Sequence, residues 1–255
     1  MSSATPLPAI PRHAEPDWAA VGRLSIAGSD EPLVPVGLAP PPLKAYPAYA
    51  RLGVPGAVNE CYVRETVYHR LLAVARALPD GLSLLVLDGW RPWRVQQYLF
   101  ETLQDILHEH HPELTPGELD ARTREFVAEP SRAPDRPSPH LTGGAVDVTL
   151  CDADGLPLDM GTLFDEALPA SHTAALEALE ALEALEAPDA AQRRARDNRR
   201  RLYHAMRAQG FTNLPSEWWH FDLGDQLWAH YGSHGMARYG PAELDTIESR
   251  WRRQL

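Results

Sequence analysis

Gly144-Ala145-Val146-Asp147-Val148-Thr149-Leu150 is the stretch on which the fold turns. It is β-branched and partly alternating, which suits a strand in a half-covered sheet. The turn signal Asp152-Ala153-Asp154-Gly155 follows it, so the pattern predicts a strand entering a hairpin. A second buried strand is expected at Leu82-Ser83-Leu84-Leu85-Val86-Leu87, which is too short for a free-standing helix and stops at Asp88-Gly89. Outward from these two, apolar residues at Val63, Val67, Leu71, Leu72, Val74 and Leu78 recur with the helical period over 60–78. Val95, Leu99, Leu103, Ile106 and Leu107 do the same from Pro92 to the histidines at 108–111. Thr115-Pro116-Gly117-Glu118 carries the residues of a capping box, opening a helix toward Ala128, and a further helix is expected over 190–209. Extended chain is expected at Phe211 and at Trp218-Trp219-His220-Phe221. This order of elements predicts one α+β domain, a small and mainly antiparallel sheet flanked by helices.

The 255 residues, 44 % of them hydrophobic and 23 % charged, are enough to bury a core without disulfides. A formal charge of −11 opposes both nucleic acid and an anionic membrane surface. Cys61 and Cys151 can build neither a disulfide framework nor a four-thiolate metal site. The start Met1-Ser2-Ser3-Ala4-Thr5-Pro6 has no basic and apolar leader pattern, and no stretch approaches the roughly 18 apolar residues of a membrane span, so a cytoplasmic protein is expected. Three regions are read along the chain: a proline-rich arm over 1–43, a main domain over 44–223, and a tail over 224–255 that packs on it. Within the domain, Leu176, Leu179, Leu182 and Leu185 follow a strict period of three, which spreads them around a helix instead of forming one stripe.

Chemistry concentrates in two segments. In Ser138-Pro139-His140-Leu141-Thr142-Gly143-Gly144-Ala145-Val146-Asp147, a glycine pair lets the backbone fold back, so that His140 and Asp147 can reach one metal ion. Asp147 interrupts an apolar strand, where an ionised carboxylate needs a cation or a partner. The alternative is a strand-edge aspartate satisfied by neighbouring amides. The second segment, Ser216-Glu217-Trp218-Trp219-His220-Phe221-Asp222, adds His220 and Glu217. On a strand these two would face opposite ways, so a common site requires Glu217 in the turn after Leu214-Pro215. Read otherwise, the pair is a buried glutamate beside a core histidine. Together His140, Asp147 and His220 are three ligands, the number typical of catalytic zinc, and Glu217 is left as a carboxylate that can take a proton from water. Asp88-Gly89-Trp90-Arg91-Pro92, at the end of a buried strand, offers Arg91 to a developing oxyanion; pairing with Asp88 is the other reading. The histidines at 108, 110 and 111 lack the metal-binding spacing and suit a helix C-terminus.

The chain resembles the D-alanyl-D-alanine dipeptidases, the VanX-like zinc peptidases. The resemblance rests on Asp88-Gly89-Trp90-Arg91-Pro92, the Ser138–Asp147 segment, Met160-Gly161-Thr162-Leu163-Phe164-Asp165 and Glu217-Trp218-Trp219-His220, in that order over about 44–223. It implies one zinc ion per chain held by His140, Asp147 and His220. It makes Glu217 the general base and then acid, with Arg91 steadying the tetrahedral intermediate. It also implies Ser138 and Asp165 as the residues that hold the free ammonium of a dipeptide. Tyr46, with Tyr49 as the competing choice, corresponds to the family's amino-end tyrosine. Trp90 stands where a tyrosine is common, and the stretch over about 174–190 reads as an insertion. The expected activity is hydrolysis of D-Ala-D-Ala or a related free dipeptide, serving cell-wall fragment turnover or glycopeptide resistance. A zinc D,D- or L,D-carboxypeptidase acting on muropeptides and a non-catalytic zinc module are the alternatives.

Overall fold

A computed structural model describes residues 7–178 and 189–255. The elements run α1 (Trp18–Val21), β1 (Leu33–Pro35), β2 (Leu43–Ala45), α2 (Ala48–Arg51), β3 (Tyr62–Arg64), α3 (Glu65–Ala77) and β4 (Ser83–Asp88). Next come α4 (Trp93–His110), α5 (Pro116–Arg124), β5 (Arg132–Ala133), β6 (Arg136–Pro137) and β7 (Ala145–Cys151). The chain then continues through α6 (Ala190–Ala208), β8 (Thr212–Asn213), β9 (His220–Asp222), α7 (Gln226–Tyr231) and α8 (Ile247–Gln254). Five strands form the main sheet in the order β2-β4-β7-β9-β8, in which only β2 and β4 run parallel. The expected α+β class and mainly antiparallel sheet are therefore observed.

The two strands read from the sequence form the centre of this sheet. Along β7, Val146, Val148 and Leu150 enter the main core, where all three are fully buried. They pack with Leu84 and Val86 of β4, Val67, Leu71 and Val74 of α3, Leu202 and Met206 of α6, and Phe211 and Phe221. A fully buried aliphatic side chain is worth about 1.5–3 kcal/mol, so this face is the principal source of stability. Because side chains alternate on a strand, Asp147 is turned away from that core. Asp88 of β4, Asp147 of β7 and His220 of β9 pair across the three strands, with a register shift in β4 just before Asp88. One rung of the sheet thus carries three of the chemically notable residues.

Two expectations change. The turn after β7 forms, with Asp152 Oδ1 accepting the Leu156 N–H, but the returning chain makes only an isolated bridge between Cys151 and Pro157. β9 holds the edge of β7 from Ala145 to Asp147, so the returning chain bonds only the far end of the strand, where the Leu158 N–H donates to the Leu150 carbonyl. The amino-terminal region, read as irregular, supplies β1 and β2, and β2 is an edge strand of the main sheet. Three-residue strands are too short to display a period. Further upstream, Arg200 donates to the Leu7 carbonyl, the Ile10 N–H donates to Glu177, and Tyr231 donates to the Ala14 carbonyl. These bonds hold the arm against the body. The capping box at Thr115 and Glu118 forms. His108, His110 and His111 are exposed at the end of α4. Of the Leu-Glu-Ala repeat, residues 175–178 form a short 3-10 turn, and Leu179, Leu182 and Leu185 lie outside the described residues.

Candidate metal centre and its cleft

The sheet rung is completed by two loops. Beyond β4, Gly89 lies so close to β3 that a Cβ there would come within 2.3 Å of the Tyr62 carbonyl oxygen, so no other residue fits. The freed Gly89 carbonyl accepts from His140 Nδ1 at 2.8 Å. His140 itself sits in the 3-10 turn Pro139–Thr142, which ends at Gly143 with φ 72°. A left-handed glycine at this point folds the chain directly into β7. Asp147 is thereby brought back beside His140, as the glycine-pair argument requires.

His140, Asp147 and His220 each offer one ligand atom, and these atoms lie within 4.8 Å of one another, all three residues being buried. His140 Nε2 is 3.2 Å from His220 Nδ1 and 3.5 Å from Asp147 Oδ2. His220 Nδ1 is 3.2 Å from Asp147 Oδ1. The outer ring nitrogens settle the protons: with His140 Nδ1 donating to Gly89 and His220 Nε2 donating to Asp222 Oδ1 at 2.9 Å, the inner nitrogens carry lone pairs. Asp147 Oδ1 is buried without a hydrogen-bond partner among the described residues. Two facing lone pairs and an orphaned carboxylate oxygen leave a place that only a positive charge satisfies.

The electrostatics agree. Burial works against ionisation of Asp147, yet His140 and His220 hold its carboxyl well below the usual range. Burial likewise opposes charge on His220, but Asp222 and Asp147 raise it well above the usual imidazole value. A proton and a metal ion compete for this place, and a donor set of two imidazoles and one carboxylate, each imidazole held from behind, suits zinc. The residues present fit the ion.

Asp222 was within reach of sequence reasoning: it lies two residues beyond His220 on one strand and therefore on the same face. As the carboxylate that orients a metal-binding imidazole, it predicts that Asp222→Asn weakens zinc affinity about 10–100-fold. Chelator competition measures this, and unchanged affinity would contradict the role.

Glu217 sits in the turn before β9, where its N–H donates to the Leu214 carbonyl. Asn213 Nδ2 bonds the Glu217 carbonyl oxygen at 3.1 Å, fixing the turn from β8. The Glu217 carboxylate reaches within 3.7 Å of His220 Nδ1. Burial pushes its carboxyl up to about 8, with Asp147 and Asp165 adding to the rise and His220 and Arg91 opposing it. A cation held by the neighbouring ligands draws this value down toward the working range of a general base.

Arg91 is 7 % exposed and makes four polar contacts. Nε donates to Asp88 Oδ2 at 2.7 Å and Nη1 to Gln96 Oε1 at 2.8 Å, while Nη2 reaches Asp147 Oδ2 at 3.1 Å and the Tyr49 hydroxyl at 3.3 Å. Arg91 thus pairs with Asp88, and its other arm stands beside Asp147.

Arg91, His140, Asp147, Asp165, Glu217 and His220 all line one cleft of about 440 Å³. Glu15, Pro16 and Trp18 of the arm form part of its wall. Asp165, at φ 63°, keeps solvent access at the cleft even though the surrounding protein pushes its carboxyl up to about 6. Neither Ser138 nor Tyr46 lines this cleft. Ser138 Oγ accepts from the Ser131 N–H and donates to the Glu129 carbonyl, closing the neck of the β5–β6 hairpin. Tyr46 follows the edge strand and is 49 % exposed. The competing choice, Tyr49, is buried with its ring 4.6 Å from the Arg91 guanidinium.

The Peptidase_M15 family, described as D-ala-D-ala dipeptidase, matches residues 55–236. A D-alanyl-D-alanine dipeptidase of Synechocystis sp. is 33 % identical over 238 residues, covering 86 % of this chain and 95 % of the relative. Proteins of the same name from Escherichia coli and Enterococcus faecium are 32 % and 31 % identical, covering 59 % and 61 % of this chain and 60 % and 69 % of their own. Among solved structures, the Zn(II) complex of the vancomycin-resistance D,D-pentapeptidase VanY is similar at TM-score 0.39 and 16 % identity, over 70 % of this chain and 83 % of that one. The LD-carboxypeptidase LdcB is similar at TM-score 0.35 and 15 % identity, over 69 % and 66 %. With a family match over most of its length and a relative aligned almost end to end, the chain belongs to the Peptidase_M15 family of D-ala-D-ala dipeptidases.

Proposed function

We propose that the protein is a zinc dipeptidase that hydrolyses D-Ala-D-Ala or a closely related free dipeptide, with one zinc ion per chain held by His140, Asp147 and His220. The observation that carries this reading is the convergence of three ligand atoms within 4.8 Å in the same cleft as Glu217, Arg91 and Asp165. Zinc, when bound, supplies a Lewis acid that polarises a peptide carbonyl and makes water acidic enough to attack near neutral pH. The protein does the rest. Glu217 takes the proton from the attacking water and delivers it to the departing amine, a transfer open to a carboxyl whose pKa is raised by its surroundings. Arg91, permanently charged, turns its guanidinium toward the negative charge that develops on the carbonyl oxygen.

Asp165, at the open side of the cleft, holds the substrate's free ammonium in this reading, with Tyr49 taking the place first considered for Tyr46. An acylated amine would leave that carboxylate unpaired, which disfavours longer or blocked peptides. The cleft wall formed by Glu15, Pro16 and Trp18 further supports a short substrate. Ser138, expected beside Asp165, has its hydroxyl engaged with Glu129 and Ser131 and is left out of this reading. The physiological setting proposed is turnover of cell-wall fragments or glycopeptide resistance. The two buried free thiols, Cys61 and Cys151, suit a reducing cytoplasm. No helix of the described residues is long and apolar enough to cross a membrane.

The test is a substrate panel on zinc-loaded protein: free D-Ala-D-Ala, its L,L counterpart, and an N-acylated tripeptide ending in D-Ala-D-Ala. Hydrolysis of the free D,D-dipeptide is expected to predominate, to vanish on chelation and to return with zinc. Preference for the acylated tripeptide would replace this reading by the carboxypeptidase, and failure to cleave any substrate would leave a non-catalytic module.

A further inference from the structure

Arg199, on α6, lies outside the cleft and is among the largest fully buried side chains of the protein. A guanidinium is costly to bury and normally meets a carboxylate. Here its bonds go to one loop, and the acceptors are neutral. Nε donates to the Met160 carbonyl at 2.6 Å, Nη1 to the His172 carbonyl at 2.8 Å, and Nη2 to the Ala170 carbonyl at 3.0 Å and to Thr162 Oγ1 at 3.5 Å. These acceptors sit on both limbs of the segment 160–172, and Asp165 lies between the limbs. The planar fork of a guanidinium holds several acceptors at fixed angles, which an apolar residue of equal volume cannot do.

The same cluster extends to the turn that carries Glu217. Thr162 Oγ1 accepts from Trp218 Nε1 at 2.9 Å, and the Trp218 ring lies 5.8 Å from the Arg199 guanidinium. The Trp218 N–H donates to the Ser171 carbonyl, and the Thr173 N–H to the Pro215 carbonyl. Ser171 Oγ in turn holds the Glu166 carbonyl at 2.6 Å. Asp165 itself is at φ 63°, a conformation that non-glycine residues keep only where the surroundings impose it.

We propose that Arg199 is a positioning residue that fixes the Asp165 loop against the Glu217 turn and thereby sets the enzyme's preference for a free amine. The amine part rests on the reading of Asp165 under the proposed function. The fastening of the two segments does not.

The experiment compares wild type, Arg199→Met, Arg199→Lys and Thr162→Val as zinc-loaded full-length proteins. For Arg199→Met, the KM for D-Ala-D-Ala is expected to rise about tenfold or more, with a smaller change in kcat, because a displaced Asp165 pairs less well with the ammonium in the ground state and the transition state alike. The preference for the free over the N-acetylated dipeptide falls with it. Arg199→Lys restores part of both, and zinc content is unchanged. Amide hydrogen exchange at 160–172 and 214–219 is expected to accelerate in Arg199→Met. Thr162→Val, which removes the acceptor shared by Arg199 and Trp218, gives the same pattern more weakly and serves if Arg199→Met does not fold. A lowered Tm with unaltered KM, preference and exchange would overturn the proposal. If wild type cleaves no dipeptide, the functional reading fails, and the exchange comparison still decides whether Arg199 fastens the two segments.

Discussion

Glu217→Gln is expected to keep its zinc and lose about 10²–10⁴ of kcat, the usual contribution of a placed general acid–base. The amide preserves the shape of the side chain and its place in the turn between Leu214 and His220, so folding and metal content should match the wild type. What it removes is the ability to accept a proton. Burial raises this carboxyl to about 8 in the protein, whereas an amide does not titrate there. Steady-state kinetics on D-Ala-D-Ala, with metal analysis of the same sample, checks the expectation. Equal turnover by the two proteins would remove Glu217 from the mechanism.

The second large effect is that of Arg91. Arg91→Met deprives Asp88 and Asp147 of a cation they contact at 2.7 and 3.1 Å. Removing one partner of a buried ion pair costs about 3–5 kcal/mol, because the remaining charge stays desolvated. Bound zinc offsets part of this cost at Asp147 and none of it at Asp88, which is not among the three clustered ligand residues. Losing an oxyanion donor also lowers kcat by about 10²–10³. Arg91→Lys retains the charge but cannot span Asp88, Gln96 and Asp147 together, so it should recover stability more than rate. Denaturant unfolding and kcat measured on the three proteins separate the two contributions. Wild-type values for Arg91→Met in both assays would contradict them.

How far the sequence led depended on whether the deciding interactions were local. β4, β7 and α3 show their patterns because each buries a continuous face, as with Val146, Val148 and Leu150, whereas the stripe read along α4 buries Val95 and leaves Ile106 exposed. The candidate ligands were legible for another reason: an ionised aspartate within an apolar strand calls for a cation or a partner, and the glycine pair can bring His140 back beside it. Strand β2 was hidden, since three residues have no period and its partners in β4 lie 41 residues further along. The hairpin after β7 was over-read, because a turn signal does not reveal that β9, far along the chain, takes the edge of the strand from Ala145 to Asp147.

Around the site, the limit was reach. Motif position suggested Tyr46, but the turn at α2 carries Tyr49 to Arg91 and leaves Tyr46 exposed. Ser138 directly precedes the turn that carries His140, yet its hydroxyl is spent on Glu129 and Ser131. Arg199 was invisible in the sequence, as three of its four acceptors are main-chain oxygens 27 to 39 residues earlier, and these carry no side-chain signature.

The most direct measurement is a zinc-edge anomalous difference map from crystals of the zinc-loaded protein. The account predicts one peak per chain, touching His140 Nε2, Asp147 and His220 Nδ1 and no fourth protein side chain. A peak elsewhere, an ion enclosed by four protein ligands, or no peak in protein that hydrolyses the dipeptide would contradict it.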